Sequence, residues 1–400
     1  MSNTSKTLND VCEFIVDCLH ATAPTQEDGY PLIRTPNIGK GRLILDGVYR
    51  VSEDTYKEWT RRAVPEANDL VLAREAPAGN VAIIKNGQQV CLGQRTVHLR
   101  PNPNQVDPDF LCYFLLTPQQ QGLLLAGETG ATAKHVNMKD IRRLPLKNLP
   151  GIEVQQRMGV ILSTYDDLIE NNRRRIALLE EAARLLYREW FVHFRFPGHE
   201  HVAIKDGVPE GWERKTLGEI AATNVESYKA STLPDIINYI DISSVEQGRI
   251  TKKNTMSSSE APGRARRKAR PGDIIWSNVR PNLRAFALIL DPEENDVFST
   301  GFTVISPITV PFTYLYLFVT TDEFVGHLVN HTTGASYPAV RPEDFERAMA
   351  LVPQKQMLEH FNEKAEPIYK FISVLEEEMK LLAQARDLLL PRLMNGKVAV

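Results

Sequence analysis

The sequence has little cysteine, little excess charge and no long apolar run. Its four cysteines, Cys12, Cys18, Cys91 and Cys112, all lie in the first half. They form no CxxC pair and show no metal-ligand spacing. Reduced, structural thiols in a cytosolic protein are therefore expected. With 47 Lys+Arg against 50 Asp+Glu the net charge is −3, so any nucleic-acid surface must be a local patch. The longest uncharged run, 297–321, spans 25 residues but holds Pro307, Pro311 and many Ser and Thr. It alternates like strands and does not read as a transmembrane helix. The first 19 residues carry Asp10, Glu13 and Asp17 and lack a basic start, unlike a secretory signal.

Catalytic motifs are scarce too. A methyltransferase would need an Asn/Asp-Pro-Pro-Tyr/Phe segment and a Gly-rich loop for S-adenosylmethionine; Asp107-Pro108-Asp109-Phe110 has an acid in place of the second Pro. An ATP-driven enzyme would need GxxxxGK[ST], which Gly39-Lys40-Gly41 does not supply. His327 and His331 stand i,i+4 without HExxH or a third ligand, and read as helix-surface histidines. His193, His199 and His201 fall in a linker with Pro197 and Gly198. What remains is ordinary globular composition, 42% hydrophobic with 23 Gly and 25 Pro, long enough for two or three domains.

The chain repeats itself. Residues 129–143 match 333–347 without a gap, with six of fifteen pairs identical, including Thr-Gly-Ala, a later Val and an Asp. Leu178, Leu179, Ala182, Leu185 and Leu186 match Leu381, Leu382, Ala385, Leu388 and Leu389. Upstream, Thr7-Leu8 answers Thr216-Leu217, and Gly41-Arg42 answers Gly248-Arg249. Asn68-Asp69-Leu70-Val71 answers Gly272-Asp273-Ile274-Ile275, and Arg95-Thr96-Val97 answers Phe302-Thr303-Val304. Each half opens with a short helix and continues in short β-branched and aromatic runs, read as strands at 81–85, 97–100, 238–242, 274–276, 286–290 and 303–305. A helical stretch follows, 108–116 in one half and 311–318 with 322–330 in the other, and then a Gly-containing loop.

Each half ends in a long charged segment of helical period. In the second, Leu358, Phe361, Ala365, Ile368, Ile372, Leu375, Met379, Leu382, Arg386, Leu389 and Leu393 alternate spacings of 3 and 4. In the first, Val154, Met158, Ile161, Tyr165, Leu168, Asn172, Ile176, Leu179, Ala183, Leu186 and Trp190 do nearly the same. Such a repeat is a coiled-coil seam, and about 40 residues give a rod of roughly 60 Å. Asn172 stands where the second rod has Leu375, either as a buried register-setting residue or simply hydrated. Pro367 either kinks the second helix or marks its start. The two rods must bury each other's seams, and an antiparallel pair is the better fit. The expected fold class is α+β: two repeated globules separated by two long helices in an antiparallel coiled coil, with approximate two-fold symmetry.

This order resembles the specificity subunit of type I restriction–modification systems. The resemblance rests on Gly-Asp-Ile-Ile-Trp-Ser (272–277) with its counterpart at 68–73, on the Thr-Gly-Ala loops, and on the tail Arg-Asp-Leu-Leu-Leu-Pro-Arg-Leu-Met-Asn-Gly (386–396). It covers essentially the whole chain. It implies target-recognition domains at 1–150 and 197–352 (with a linker at 197–212) and conserved long helices at 151–196 and 353–400. It further implies a non-catalytic subunit in which each globule reads one half of a split DNA site. The coiled coil would set the spacing and dock two methyltransferase subunits, joined by restriction/translocase subunits. No cofactor is expected in this chain; S-adenosylmethionine belongs to the methyltransferase subunits, ATP and Mg to the restriction subunit. The implied location is cytoplasmic, in phage defence. A coiled-coil scaffold without DNA specificity is the alternative.

Several stretches offer DNA-contacting chemistry. Arg264, Arg266, Arg267, Lys268 and Arg270 place five cations in seven residues, suited to phosphates; Arg61 and Arg62 hold the equivalent place. Asn278, Arg280, Asn282 and Arg284 leave a strand with the side chains that pair with adenine and guanine edges, or are turn chemistry; Arg74 and Asn80 belong to their counterpart. Around the Thr-Gly-Ala loops stand Thr132, Lys134, His135 and Asn137 in one half, and Ser336, Tyr337 and Arg341 in the other. Gln94, Arg95 and Phe302 are weaker candidates. Outer rod residues, among them Arg173, Arg174, Glu180, Glu181, Arg184, Glu376, Glu377 and Lys380, could meet partner helices or simply face water. Tyr187, Trp190, Phe191 and Phe194 suggest packing on a globule or on a partner subunit.

Overall fold

The computed structural model describes residues 6–126, 135–334, 337–398 and 400. The chain divides into two compact units, Met1–Arg173 with Glu377–Val400, and Arg174–Glu376. Both cuts fall inside long helices.

In the first unit a short turn of helix, Leu8–Val11, leads into a five-stranded sheet. Its order is Cys12–Asp17, Thr96–Pro101, Leu70–Ala73, Val81–Ile83 and Gly41–Arg42. Three junctions are antiparallel and the last is parallel. Leu70–Ala73 is buried throughout, because alternate side chains enter two different cores. Leu70 and Leu72 join Val81, Ile83, Phe110, Leu111 and Leu115 of the Pro108–Leu115 helix, and Met158. Val71 and Ala73 face Ile33, Ile38, Leu43 and Val90. A smaller sheet runs Arg50–Val51, Tyr30–Ile33, Cys91–Leu92.

The second unit repeats this plan. Its five-stranded sheet runs Ala221–Thr223, Phe302–Pro307, Asp273–Ser277, Phe286–Ile289, Val245–Ile250, with the same sequence of three antiparallel junctions and one parallel. Its smaller sheet runs Asn254–Ser257, Ile236–Ile240, Asp296–Ser299, Ala265–Arg267. The duplication read from scattered residue matches is thus a duplication of strand order and sense.

The shared Asp of the two signature segments is a turn cap. Asp273 Oδ2 accepts the Arg270 N–H at 2.8 Å. Asp69 Oδ2 accepts the Glu66 N–H at 2.9 Å, and the same carboxylate meets Arg100 Nε at 2.8 Å and His98 Nε2 at 2.6 Å. Burial pushes the Asp69 carboxyl up, but the bonds from Arg100 and His98 outweigh it and leave it below its ordinary value. Asp107, in the segment inspected for methyltransferase chemistry, caps the Pro108–Leu115 helix through Phe110 N–H at 2.8 Å.

The long helices are Ile152–Tyr187 and Lys355–Met394, and within each unit they pair antiparallel. In the first unit Asp166 meets Arg386 while Asn172 Nδ2 donates to Glu378 at 3.0 Å. In the second Arg175 lies 5.0 Å over the Phe371 ring, and Phe191 meets Phe361 with centroids 4.7 Å apart. Asn172 is buried, so it is the register-type residue and not the hydrated one. Two details of the seam need correction. Leu168 is 43% exposed and Ile169 is buried in its place, because the stripe passes through Asp166, which Arg386 neutralises. Pro367 is interior to a helix that starts at Lys355, so it does not mark the start.

At the end of the first long helix the backbone widens into a π turn, Arg188–Val192. Trp190 and Phe191 are buried there against Phe361, Trp212 and Tyr314 of the same unit. The aromatic cluster therefore packs on its own globule. All four cysteines are free, and burial pushes the Cys12 and Cys91 thiols up to about 12 and Cys18 to about 11.

Each globule approaches the helices through a glycine. Gly41, at φ +97°, leaves room for Asp166, whose Oδ2 would stand 2.5 Å from any Cβ added there. Tyr113 Oη donates to that Oδ2 at 2.5 Å. Gly248, its repeat partner at φ +84°, faces Tyr316 Oη and Glu180 in the second unit.

Candidate nucleic-acid interface

In the second unit several candidates converge at one end of the five-stranded sheet. Residues 278–280 follow the Asp273–Ser277 strand and are stitched to residues 338–340. Arg280 N–H donates to Pro338 O at 2.8 Å, Val340 N–H to Asn278 O at 2.9 Å, and Val279 pairs with Ala339. The neighbouring turn joins in: Asn278 N–H donates to Gly301 O at 2.9 Å, and Thr300 N–H to Arg264 O at 2.8 Å. Arg264, Arg280, Asn282, Tyr337 and Arg341 are all exposed at this end. Arg280 lies 5.2 Å over the Tyr337 ring. Among the described residues no carboxylate comes within ion-pair distance of Arg264, Arg280 or Arg341.

Other candidates there serve the fold. Asn278 Oδ1 accepts from Thr303 Oγ1 at 2.7 Å, and Arg284 is paired with Asp322. Phe302 is fully buried in the sheet and cannot meet a ligand. Arg341 heads the Pro342–Glu346 helix, its N–H donating to Asp344 Oδ2 at 2.8 Å.

The run of five cations does not act as one patch. An extended backbone advances about 3.3 Å per residue, so six steps spread it over roughly 20 Å. Arg264 sits at the loop end, whereas Lys268 and Arg270 are both paired with Glu226 and hold its carboxyl below the ordinary value. Between them Arg266 donates to Ala265 O at 2.6 Å. Arg267 Nη1 donates to Ser227 Oγ at 3.1 Å, and burial pulls its guanidinium down from its ordinary value.

The first unit builds the same end with different side chains. Arg74 N–H donates to Arg95 O at 2.9 Å and Val136 N–H to Arg74 O at 3.0 Å, the repeat equivalents of the Asn278 bonds. Arg74 Nε also donates to Val136 O at 3.0 Å, and Asn80 Nδ2 to Ile38 O at 2.9 Å. Arg95 pairs with Glu75 at 2.6 Å. His135 is half-buried and Asn137 heads the Met138–Arg142 helix. Arg61 is exposed and Arg62 pairs with Asp17 at 2.9 Å. Thr132, Lys134 and Ser336 lie outside the described residues.

Comparison with known proteins agrees with this architecture. Residues 2–181 match the family described as type I restriction modification DNA specificity domain. The type I restriction enzyme MjaIX specificity subunit of Methanocaldococcus jannaschii is 24% identical over 368 residues, 89% of this chain and 83% of that protein. The HindI specificity subunit of Haemophilus influenzae is 22% identical, over 75% of this chain and 79% of its own length. Among solved structures, the type I restriction-modification S subunit from M. genitalium aligns with a TM-score of 0.59 at 15% identity, over 98% of this chain and 95% of that one. The chain is thus similar to type I specificity subunits along most of its length.

At this surface the sequence reading missed two features. Leu283, between Asn282 and Arg284, is 63% exposed. Arg264 is separated from its cationic neighbours by the Thr300 bond, which no charge run reveals. The histidines set aside are satisfied locally: His327 Nε2 meets Asp344 O and His331 Nδ1 meets His327 O, both at 2.8 Å.

Proposed function

We propose that this chain gives a type I restriction–modification complex its DNA sequence specificity, each globule reading one half of a bipartite, asymmetric site. The observation that carries the reading is the duplicated sheet whose same end gathers diverged loops on a shared backbone frame. A single chain with two such frames reads two half-sites as a dimer would, yet lets each diverge. In this reading Arg264, Arg280, Asn282, Tyr337 and Arg341 face DNA in the second globule, and Arg61 with the 74–80 and 135–137 segments in the first. Lys268 and Arg270 stay paired with Glu226, which leaves Arg264 as the phosphate contact of the 264–270 run.

The paired long helices space the half-sites about one helical turn, roughly 34 Å, apart. They also dock two methyltransferase subunits, a role supported by exposed leucines at repeat-equivalent places: Leu178 with Leu381, and Leu185 with Leu388. In this reading the chain is non-catalytic and cytoplasmic. S-adenosylmethionine binds the methyltransferase subunits, and ATP and Mg the restriction subunits.

Methylated-base mapping in a host expressing this chain with its cognate methyltransferase subunit tests the proposal. An asymmetric two-part motif, modified in each half, is expected, and exchanging residues 1–150 changes one half alone. A single continuous motif refutes the two-globule reading.

A further inference from the structure

The 280–284 loop is more rigid and more apolar at its tip than a solvent loop requires. Arg280 and Arg284 both adopt left-handed backbone, φ 50° and 54°, on either side of the 3-10 turn Pro281–Leu283. Left-handed backbone is unfavourable for a residue with a Cβ, so the surroundings must hold it. They do: Arg280 N–H is tied to Pro338 O at 2.8 Å, Pro281 is buried, and Arg284 is paired with Asp322. The first globule keeps the same left-handed residue, Ala76 at φ 48°, in the equivalent place.

The copies differ in what the turn presents. In strand register, Leu72 pairs with Val81 in the first unit and Trp276 with Phe286 in the second. The second loop is therefore one residue longer. The first carries Ala76, Pro77 and Ala78, whereas the second carries Arg280, Asn282 and the 63% exposed Leu283. Tyr337, 71% exposed, lies under the Arg280 guanidinium.

An aliphatic tip next to Arg280, on a surface that also exposes Arg264 and Arg341, cations with no described carboxylate partner, suits an anionic occupant that carries apolar points. Duplex DNA offers one such point in the major groove, the C5-methyl of thymine. We propose that Leu283 is a specificity-determining residue of the second globule, reading one thymine methyl, with Arg280 held by Tyr337 on the adjacent backbone or base edge. This rests on the DNA-specificity reading above and sharpens it to one atom group. It also assigns the two half-sites unequal chemistry, since the shorter loop of the first globule carries only Ala76, Pro77 and Ala78 at its tip.

The test uses the complex of this chain with its methyltransferase subunits and duplexes bearing the mapped site. Each thymine of the second half-site is replaced in turn by deoxyuridine, which removes the methyl alone. One replacement is expected to weaken binding about fourfold, the worth of one buried methyl. Leu283→Ala is expected to abolish that penalty while leaving the first half-site and the melting temperature unchanged. A second half-site without any thymine–adenine pair overturns the inference, as does a deoxyuridine penalty that survives Leu283→Ala. In either case the wild-type complex still binds its bipartite duplex, so the broader reading stands. A wild-type complex that binds no such duplex overturns both.

Discussion

Arg386→Met should be among the most damaging single changes in the first unit. The Asp166 and Arg386 side chains are only 4% and 13% exposed, and the carboxylate's other described partner is the neutral Tyr113 hydroxyl. Asp166 in turn raises the Arg386 guanidinium further, against the cost of its burial. Removing one member of a buried pair strands the other, at about 3–5 kcal/mol. For a unit of this size that lowers the melting temperature by about 10 °C. The duplication supplies its own control. Tyr369 and Ala183 occupy the repeat positions of Asp166 and Arg386, both buried, and Tyr369 packs edge-on to Tyr316 with centroids 5.4 Å apart. The double variant Asp166→Tyr/Arg386→Ala imports that apolar solution and should recover stability to within about 1 kcal/mol, since a well-packed replacement of a buried ion pair is often neutral. Calorimetry of the full chain measures both. A loss below about 1 kcal/mol for Arg386→Met would mean that the pair is hydrated, and the argument would fail.

Three further outcomes follow from the same structure. Burial raises the Glu180 and Glu376 carboxyls, and the Glu180 charge raises Glu376 further. The folded unit therefore binds their protons more tightly than the unfolded chain, so this contribution is complete at low pH and lost as pH rises through the raised values. Glu376→Gln should flatten the melting temperature between pH 5 and 8 and raise it at the upper end, and an unchanged slope would contradict the assignment. Arg264→Ala should reduce the salt slope of DNA binding by about one phosphate contact without shifting the melting temperature; an unchanged slope would remove Arg264 from the interface. With Cys12 and Cys91 raised to about 12, few thiolates form at pH 8. The native chain should resist a thiol-directed reagent that reacts at once in denaturant, and rapid native labelling would refute the burial.

The parts of the fold that were legible are those written in periodicity. The 3,4 spacing located both long helices, and the β-branched runs located Val81–Ile83 and Asp273–Ser277, whereas Leu70–Ala73 was marked only by its repeat match. The single-residue slip at Leu168 and Ile169 was not legible, because it depends on Asp166 finding Arg386 across 220 residues. The smaller sheets were missed in the first half, where Arg50–Val51 and Cys91–Leu92 are too short to show alternation. At the interface, residue type identified the loops but not their roles. Asn278 and Asn282 look alike in sequence, yet one is bonded to Thr303 and the other faces solvent. Likewise Glu226, 44 residues before Arg270, leaves no local mark on the cations it neutralises.

The backbone bonds that close the loop end of each globule bear on how such a protein changes. Arg74 N–H to Arg95 O, Val136 N–H to Arg74 O, and their equivalents at Asn278 involve only main-chain atoms, so they are indifferent to what the side chains are. Two copies hold the same frame with Arg74 in one and Asn278 in the other, with Ala76 in one and Arg280 in the other. Stability and recognition are thereby written in different atoms. A substitution at the loop tips alters the surface without loosening the sheet, and a new preference can be reached through intermediates that all remain folded.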